Sequence, residues 1–288
     1  MRLLDILISV LARFDRLPFG VASFAVTGGI ALGLACGCQG GKRGLDTVAE
    51  TAEFDGGAKI EVHAADAESA KRVLGFVTES ARRITARLEV GMPDTPLTVY
   101  AVSSRSEKLR LLGQFSRRLR RLDGGCFVSG DRFVVVAGGQ LDEGYDRYLL
   151  AHELVHYVLV DAVRPLDPWL DEGLAVYLGL ELEPAAKTAK RYSTHVRRAL
   201  RSSENEWVKR ILKHRLGQPI TTDREYALAW AFLRFLVEGR PDGRDRMTAL
   251  LSRLQEGADE LDALQAEFEL DMSAVDAAFR QWARKNYP

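Results

Sequence analysis

Apolar and polar positions change their pattern three times along the chain. Residues 19–38 (FGVASFAVTGGIALGLACGC) carry no charge at all. From residue 58 the apolar positions recur at regular spacings. Residues 58–64 (AKIEVHA) alternate with period 2, which predicts a strand. Residues 66–90 place Val73, Leu74, Val77, Ala81, Ile84 and Leu88 on one stripe, which predicts a helix. Residues 96–102 (PLTVYAV) predict a second strand, and 104–122 a basic helix. Residues 124–129 and 132–137 (RFVVVA) predict a hairpin around Gly130-Asp131, a good tight-turn pair. From Tyr145 onward the spacing is helical, with breaks at Pro165/Pro168, near Pro184, at 217–219 and at 239–243. The order predicts an α+β fold: a mixed sheet-and-helix part over 58–143, then a helical part over 144–288.

The uncharged run has the outline of an export signal. Arg2, Arg13 and Arg16 precede it, against Asp5 and Asp15, and small residues close it. Its end, LACGC, resembles the lipobox of bacterial lipoproteins, in which the Cys is acylated and becomes the new N-terminus. Cys36 and Cys38 both qualify, with Gly33 or Ala35 three residues before. Twenty apolar residues also suffice for an uncleaved anchor, or for an ordinary cleaved signal. A buried soluble helix is the remaining alternative; each of the export readings puts the rest of the chain outside the cytoplasm, in the bacterial cell envelope, and lipid or anchor would attach it to the membrane. Residues 39–57, Gly-rich and polar, read as a tether after the signal at 1–38.

Composition removes several function classes. The 288 residues include 40 Lys+Arg and 40 Asp+Glu, so no overall basic field exists and no nucleic-acid partner is expected. Three Cys cannot form a disulfide framework in a chain this long. No nucleophile elbow, phosphate-binding loop or dinucleotide fingerprint is present.

The chemistry is concentrated at His152-Glu153-Leu154-Val155-His156, an HExxH match within RYLLAHELVHYVLV. Residues i and i+4 share a helix face, so both imidazoles can bind one ion. Glu153, beside the first ligand, can take the proton of a water that zinc has acidified to a pKa of about 7. Two His and a Glu in an otherwise apolar helix are costly to bury, and a metal removes that cost. The spacing HExxHxxGxxH is absent, since Leu159 and Ala162 hold the Gly and His positions. The other arrangement takes a Glu from the next helix. Asp167-Pro168-Trp169-Leu170-Asp171-Glu172-Gly173 starts such a helix, with Asp167 as N-cap and Pro168 at its first position. Two His plus Glu172 leave a fourth position open, the catalytic pattern. Asp171 beside Glu172 is the competing ligand.

HELVH followed by PWLDEGLAVYL resembles the gluzincin metallopeptidases. It is most similar to the bacterial peptidase MA-like envelope families, with HExxH and then WLxEGxA. The resemblance runs from about Gly125 to the C-terminus. It implies a zincin-like fold and one Zn²⁺ per chain on His152, His156 and Glu172. It also implies Glu153 as base and proton shuttle, and a peptide or protein substrate. RFVVVA sits where that fold places the edge strand along the cleft. YALAWAF at 226–232 resembles a helix that supplies an oxyanion-stabilising group in gluzincins, which makes Tyr226 a catalytic candidate. One departure is that Val176 stands where a thermolysin-like Asp would support the ligands, so the group orienting the His residues is open.

The remaining features have simpler readings. His63 and His214 read as satisfied or surface histidines. His195 reads the same way and is kept only as a second-line substrate or oxyanion group. The basic run at 117–121 reads as a solvated helix face, with anionic lipid or a peptide carboxylate as the alternative contact. Cys126 reads as a small buried hydrophobe. A zinc-stabilised envelope binding protein that does not cleave is the rival to a peptidase.

Overall fold

The computed structural model describes residues 47–54, 58–115, 125–129, 132–138, 141, 144–163, 165–202, 206–214, 218, 220–272 and 274–288. The signal segment with Cys36 and Cys38, most of the expected tether, the basic run at 117–121 and the Gly130-Asp131 turn lie outside these residues.

The fold is α+β, with five strands in one mixed sheet and ten helices among the described residues. The strands are β1 (Val48–Glu53), β2 (Lys59–Ala64), β3 (Leu97–Val102), β4 (Gly125–Ser129) and β5 (Arg132–Gly138), in the order β1-β2-β3-β5-β4. β2, β3 and β5 run parallel; β1 and β4 are antiparallel edges. Helix α1 (Ala67–Leu88) connects β2 to β3, and α2 (Arg105–Phe115) follows β3. Eight helices succeed the sheet: α3 (Gly144–Ala162), α4 (Pro168–Leu182), α5 (Ala186–Arg201), α6 (Trp207–Leu212), α7 (Asp223–Glu238), α8 (Gly243–Gln255), α9 (Glu260–Phe268) and α10 (Val275–Asn286). Among the described residues no helix is long and apolar enough to cross a membrane.

Two expectations are corrected. Residues 48–53 are not tether: they form β1, paired in register from Val48↔Ala64 to Glu53↔Lys59. Its side chains are mostly exposed, so its polar composition resembles a linker. Backbone pairing holds it, and Phe54, buried and stacked near Tyr157, anchors its end. RFVVVA is not the edge strand either; β5 is paired on both sides, and β4 is the edge. Every residue of β5 from Phe133 to Gly138 is buried. Such an unbroken apolar run belongs to a strand covered on both faces.

The alternation of β5 sorts two cores. Phe133, Val135 and Ala137 join the main core with α1 and α3, whereas Val134 and Val136 pack with Leu111 and Leu112 of α2. Helix α3 lies against α1, α4, β4 and β5, so it is enclosed on almost every side. Helix α4 is in turn packed between α3 and α7. Two glycines permit that closeness. A Cβ on Gly179 would lie 3.2 Å from the Tyr148 ring and 3.4 Å from the His152 Cα, and one on Gly173 would lie 3.3 Å from the Ala229 carbonyl oxygen.

Candidate metal centre

The site is built on α3 and α4. His152 and His156 are one turn apart on α3, both 3% exposed. Asp167 adopts an extended conformation before α4, with Pro168 at the first helical position, as the sequence predicts. The Asp167 side chain makes no capping hydrogen bond, however; its backbone N–H donates to Glu260 Oε2 of α9 at 2.8 Å. This start brings Glu172, 4% exposed, over the two imidazoles.

The three side chains converge on one point. His152 Nε2 and His156 Nε2 are 3.3 Å apart, and Glu172 Oε2 lies 3.3 Å from the first and 3.5 Å from the second. Zinc bonds of about 2.0–2.1 Å at tetrahedral angles require ligand atoms separated by about 3.3–3.4 Å. Two edges of the observed triangle have that length and the third, at 3.5 Å, is close to it, so the buried group could hold a metal ion. Among the described residues it is the one such His/Cys/Asp/Glu group.

The support of the ligands differs from the expectation of a competing carboxylate. Asp171 does not join the triangle: its Oδ1 lies 2.8 Å from His156 Nδ1, on the far side of the ring. An Nδ1–H donated to Asp171 leaves the Nε2 lone pair free for a metal, the usual second contact of a ligating histidine. Asp171 thus fills the role that the missing Asp at position 176 left open. The signal in the sequence was a second carboxylate inside an apolar helix start. His152 Nδ1 has no hydrogen-bond partner among the described residues.

Tyr226 reaches the site from α7. Its hydroxyl donates to Glu172 Oε1 at 3.1 Å, the carboxylate oxygen not facing the imidazoles. A capping box fixes the start of that helix, with Thr222 and Glu225 satisfying each other's backbone N–H groups. Tyr148, one turn before His152 on α3, lies with its ring tilted against the imidazole at a centroid distance of 6.0 Å and carries no signal in the motif.

Glu153 is 1% exposed, and its Oε1 has no hydrogen-bond partner. An orphaned carboxylate oxygen in a buried helix costs about 1–3 kcal/mol or more, so it marks function rather than stability. The electrostatics agree with a cation site. Burial alone would push Glu172 up, but the neighbouring imidazoles outweigh it and hold its carboxyl down at about 2. Burial likewise opposes charge on His156, yet Asp171 and Glu172 together raise its pKa well above the imidazole range.

The other histidines are engaged elsewhere. His63 stacks on Tyr100 and pairs with Glu61 at 3.1 Å. His214 lies 3.4 Å from Glu225. His195 lies 3.8 Å from Asp223 at the start of α7 and takes no part in the triangle. No protein-family model and no curated protein matches the chain.

Proposed function

We propose that the protein is a membrane-tethered, extracytoplasmic zinc-dependent peptidase of the gluzincin kind, with a zincin-like fold. The observation that carries this reading is the His152–His156–Glu172 triangle beside a buried carboxylate, Glu153, with an unpartnered oxygen. A zinc ion held by the three ligands would supply Lewis acidity and lower the pKa of water.

The chain's own groups account for the rest. Asp171 fixes the ring of His156 through Nδ1, and Tyr226 fixes Glu172 through Oε1. Glu153 follows His152 by one helical step of about 100°, so it points beside the triangle rather than into it. Its free oxygen accepts the proton of the attacking water and delivers it to the leaving nitrogen of the scissile peptide. The enclosing apolar side chains of α3 and α4 lower the local dielectric, which strengthens each of these interactions. Tyr226 is the candidate for the oxyanion, with its bond to Glu172 holding the ring in place.

One observation favours the second reading, a zinc-stabilised envelope binding protein. None of the three ligands or Glu153 is more than 4% exposed. The test is hydrolysis of a casein-like protein mixture by the full chain, with and without chelator. A peptidase cleaves, loses activity to the chelator and regains it with zinc. A chain that holds one zinc and cleaves nothing supports the binding protein instead.

A further inference from the structure

Three carboxylates stand at the start of α9, and they are not placed alike. Asp259 and Asp262 are exposed, whereas Glu260 is buried. Asp259 already caps the helix by accepting the Leu261 and Asp262 N–H groups. The positive end of a helix dipole is served from solvent as well, so α9 itself gives no reason to bury Glu260. Its Oε2 instead accepts the Asp167 backbone N–H at 2.8 Å, across 93 residues of chain, at the start of α4. From that bond a short series of contacts leads to the metal centre. The Asp167 carbonyl accepts the N–H groups of Leu170 at 3.0 Å and Asp171 at 3.1 Å. Pro168 between them has a fixed φ and keeps Asp167 extended, so the junction is stiff. Asp171 in the same turn lies 2.8 Å from His156 Nδ1, and Glu172 follows it with Oε2 at 3.3 and 3.5 Å from the two imidazole Nε2 atoms.

We propose that Glu260 is a positioning residue for the metal centre: from α9 it holds the first turn of α4, and with it Asp171 and Glu172, against the two histidines. This deepens the reading of His152, His156 and Glu172 as metal ligands and rests on it. Zinc distances hold to within about 0.2 Å, so a first turn that drifts by more loosens the third ligand and the support of the second together. The Asp167 side chain makes no capping bond of its own, and the anchor comes from outside the helix. An apolar residue would fill the position of Glu260 but offer α4 no acceptor. The C-terminal helices thus take part in the centre although none of their residues belongs to the triangle.

The test measures zinc affinity of the full chain by competition with a chelating dye, so it needs no substrate. Glu260→Leu fills the buried position without an acceptor and should weaken zinc binding about 10- to 100-fold. Glu260→Gln keeps an acceptor oxygen and should recover most of that loss. Asp259→Ala removes the cap of α9 alone; it should lower stability and leave zinc affinity unchanged. A merely structural role would make Asp259→Ala and Glu260→Leu alike in zinc affinity, and that result overturns the proposal. Unchanged affinity in Glu260→Leu overturns it too. A parent that binds no zinc overturns the metal reading and this one with it, whereas a zinc-binding parent beside an unaffected Glu260→Leu overturns this one alone. Hydrogen exchange on the zinc-free chain keeps the test open if Glu260→Leu folds poorly. The Asp167 amide should be protected in the parent, and at least about tenfold less so in Glu260→Gln or Glu260→Leu, whichever folds, if the charged acceptor holds it. A freely exchanging Asp167 amide in the parent overturns the proposal.

Discussion

Helices α3 and α5 place charge in opposite ways. In α5 only Thr188, Tyr192, Val196 and Ala199 are buried, a single stripe, while Lys187, Lys190, Arg198 and Arg201 stand in solvent. In α3 every residue from Tyr148 to Leu159 is buried, and three of them, His152, Glu153 and His156, carry an imidazole or a carboxylate. An amphipathic helix needs no further account of its charges, because water accounts for them. A helix enclosed on all sides does, because each ionisable group must find a partner or a cation. The polar groups of α3 find Glu172, Asp171 and each other, and the remainder points to a metal.

The contrast can be broken by substitution. The largest effect is expected at Glu153. Glu153→Gln keeps shape and burial but removes the base, so hydrolysis should fall about 10²- to 10⁴-fold while bound zinc and thermal stability persist. Kinetics beside metal analysis would show it; loss of zinc would make Glu153 a ligand instead.

Asp171→Asn should come next. It leaves the triangle intact but weakens the hold on the His156 ring, so zinc affinity should drop about 10- to 100-fold. Competition with a chelating dye measures this, and an unchanged affinity would remove Asp171 from the centre.

Tyr226→Phe deletes the donor to a fully buried carboxylate oxygen. Leaving that acceptor short of a partner should lower unfolding stability by about 1–3 kcal/mol, read from denaturant midpoints at constant slope. The smallest effect belongs to α5. Arg198→Ala, on the solvated face, should change stability by no more than about 0.5 kcal/mol and leave zinc affinity untouched. A large loss there would mean that the charges of α5 take part in packing, and the contrast would fail.

Much of this was legible in the residues. Period 2 located β2, and the 3.6-residue stripe of Val73, Val77, Ala81 and Ile84 located α1, because each of these elements has one clearly buried face. The HExxH spacing and the Pro168 start identified the three groups that meet. Other features left no local trace. β1 is held by backbone bonds to β2, which composition does not reveal. The chain reverses after α1 and after α9 at Glu89 and Glu269, left-handed positions where Gly would have been the signal. The place of β5 inside the sheet depends on β4 folding back beside it, and the partner of His156 depends on how α4 packs on α3. Asp171 was visible as a residue, but only tertiary packing assigns it to His156.

The account stands most directly on the metal count of the purified full chain beside its His156→Ala variant. The triangle of His152, His156 and Glu172 predicts about one zinc per chain in the parent and loss of tight binding in the variant, with the variant still folded by circular dichroism. Full zinc occupancy in His156→Ala, or a parent that binds no zinc at all, would contradict it.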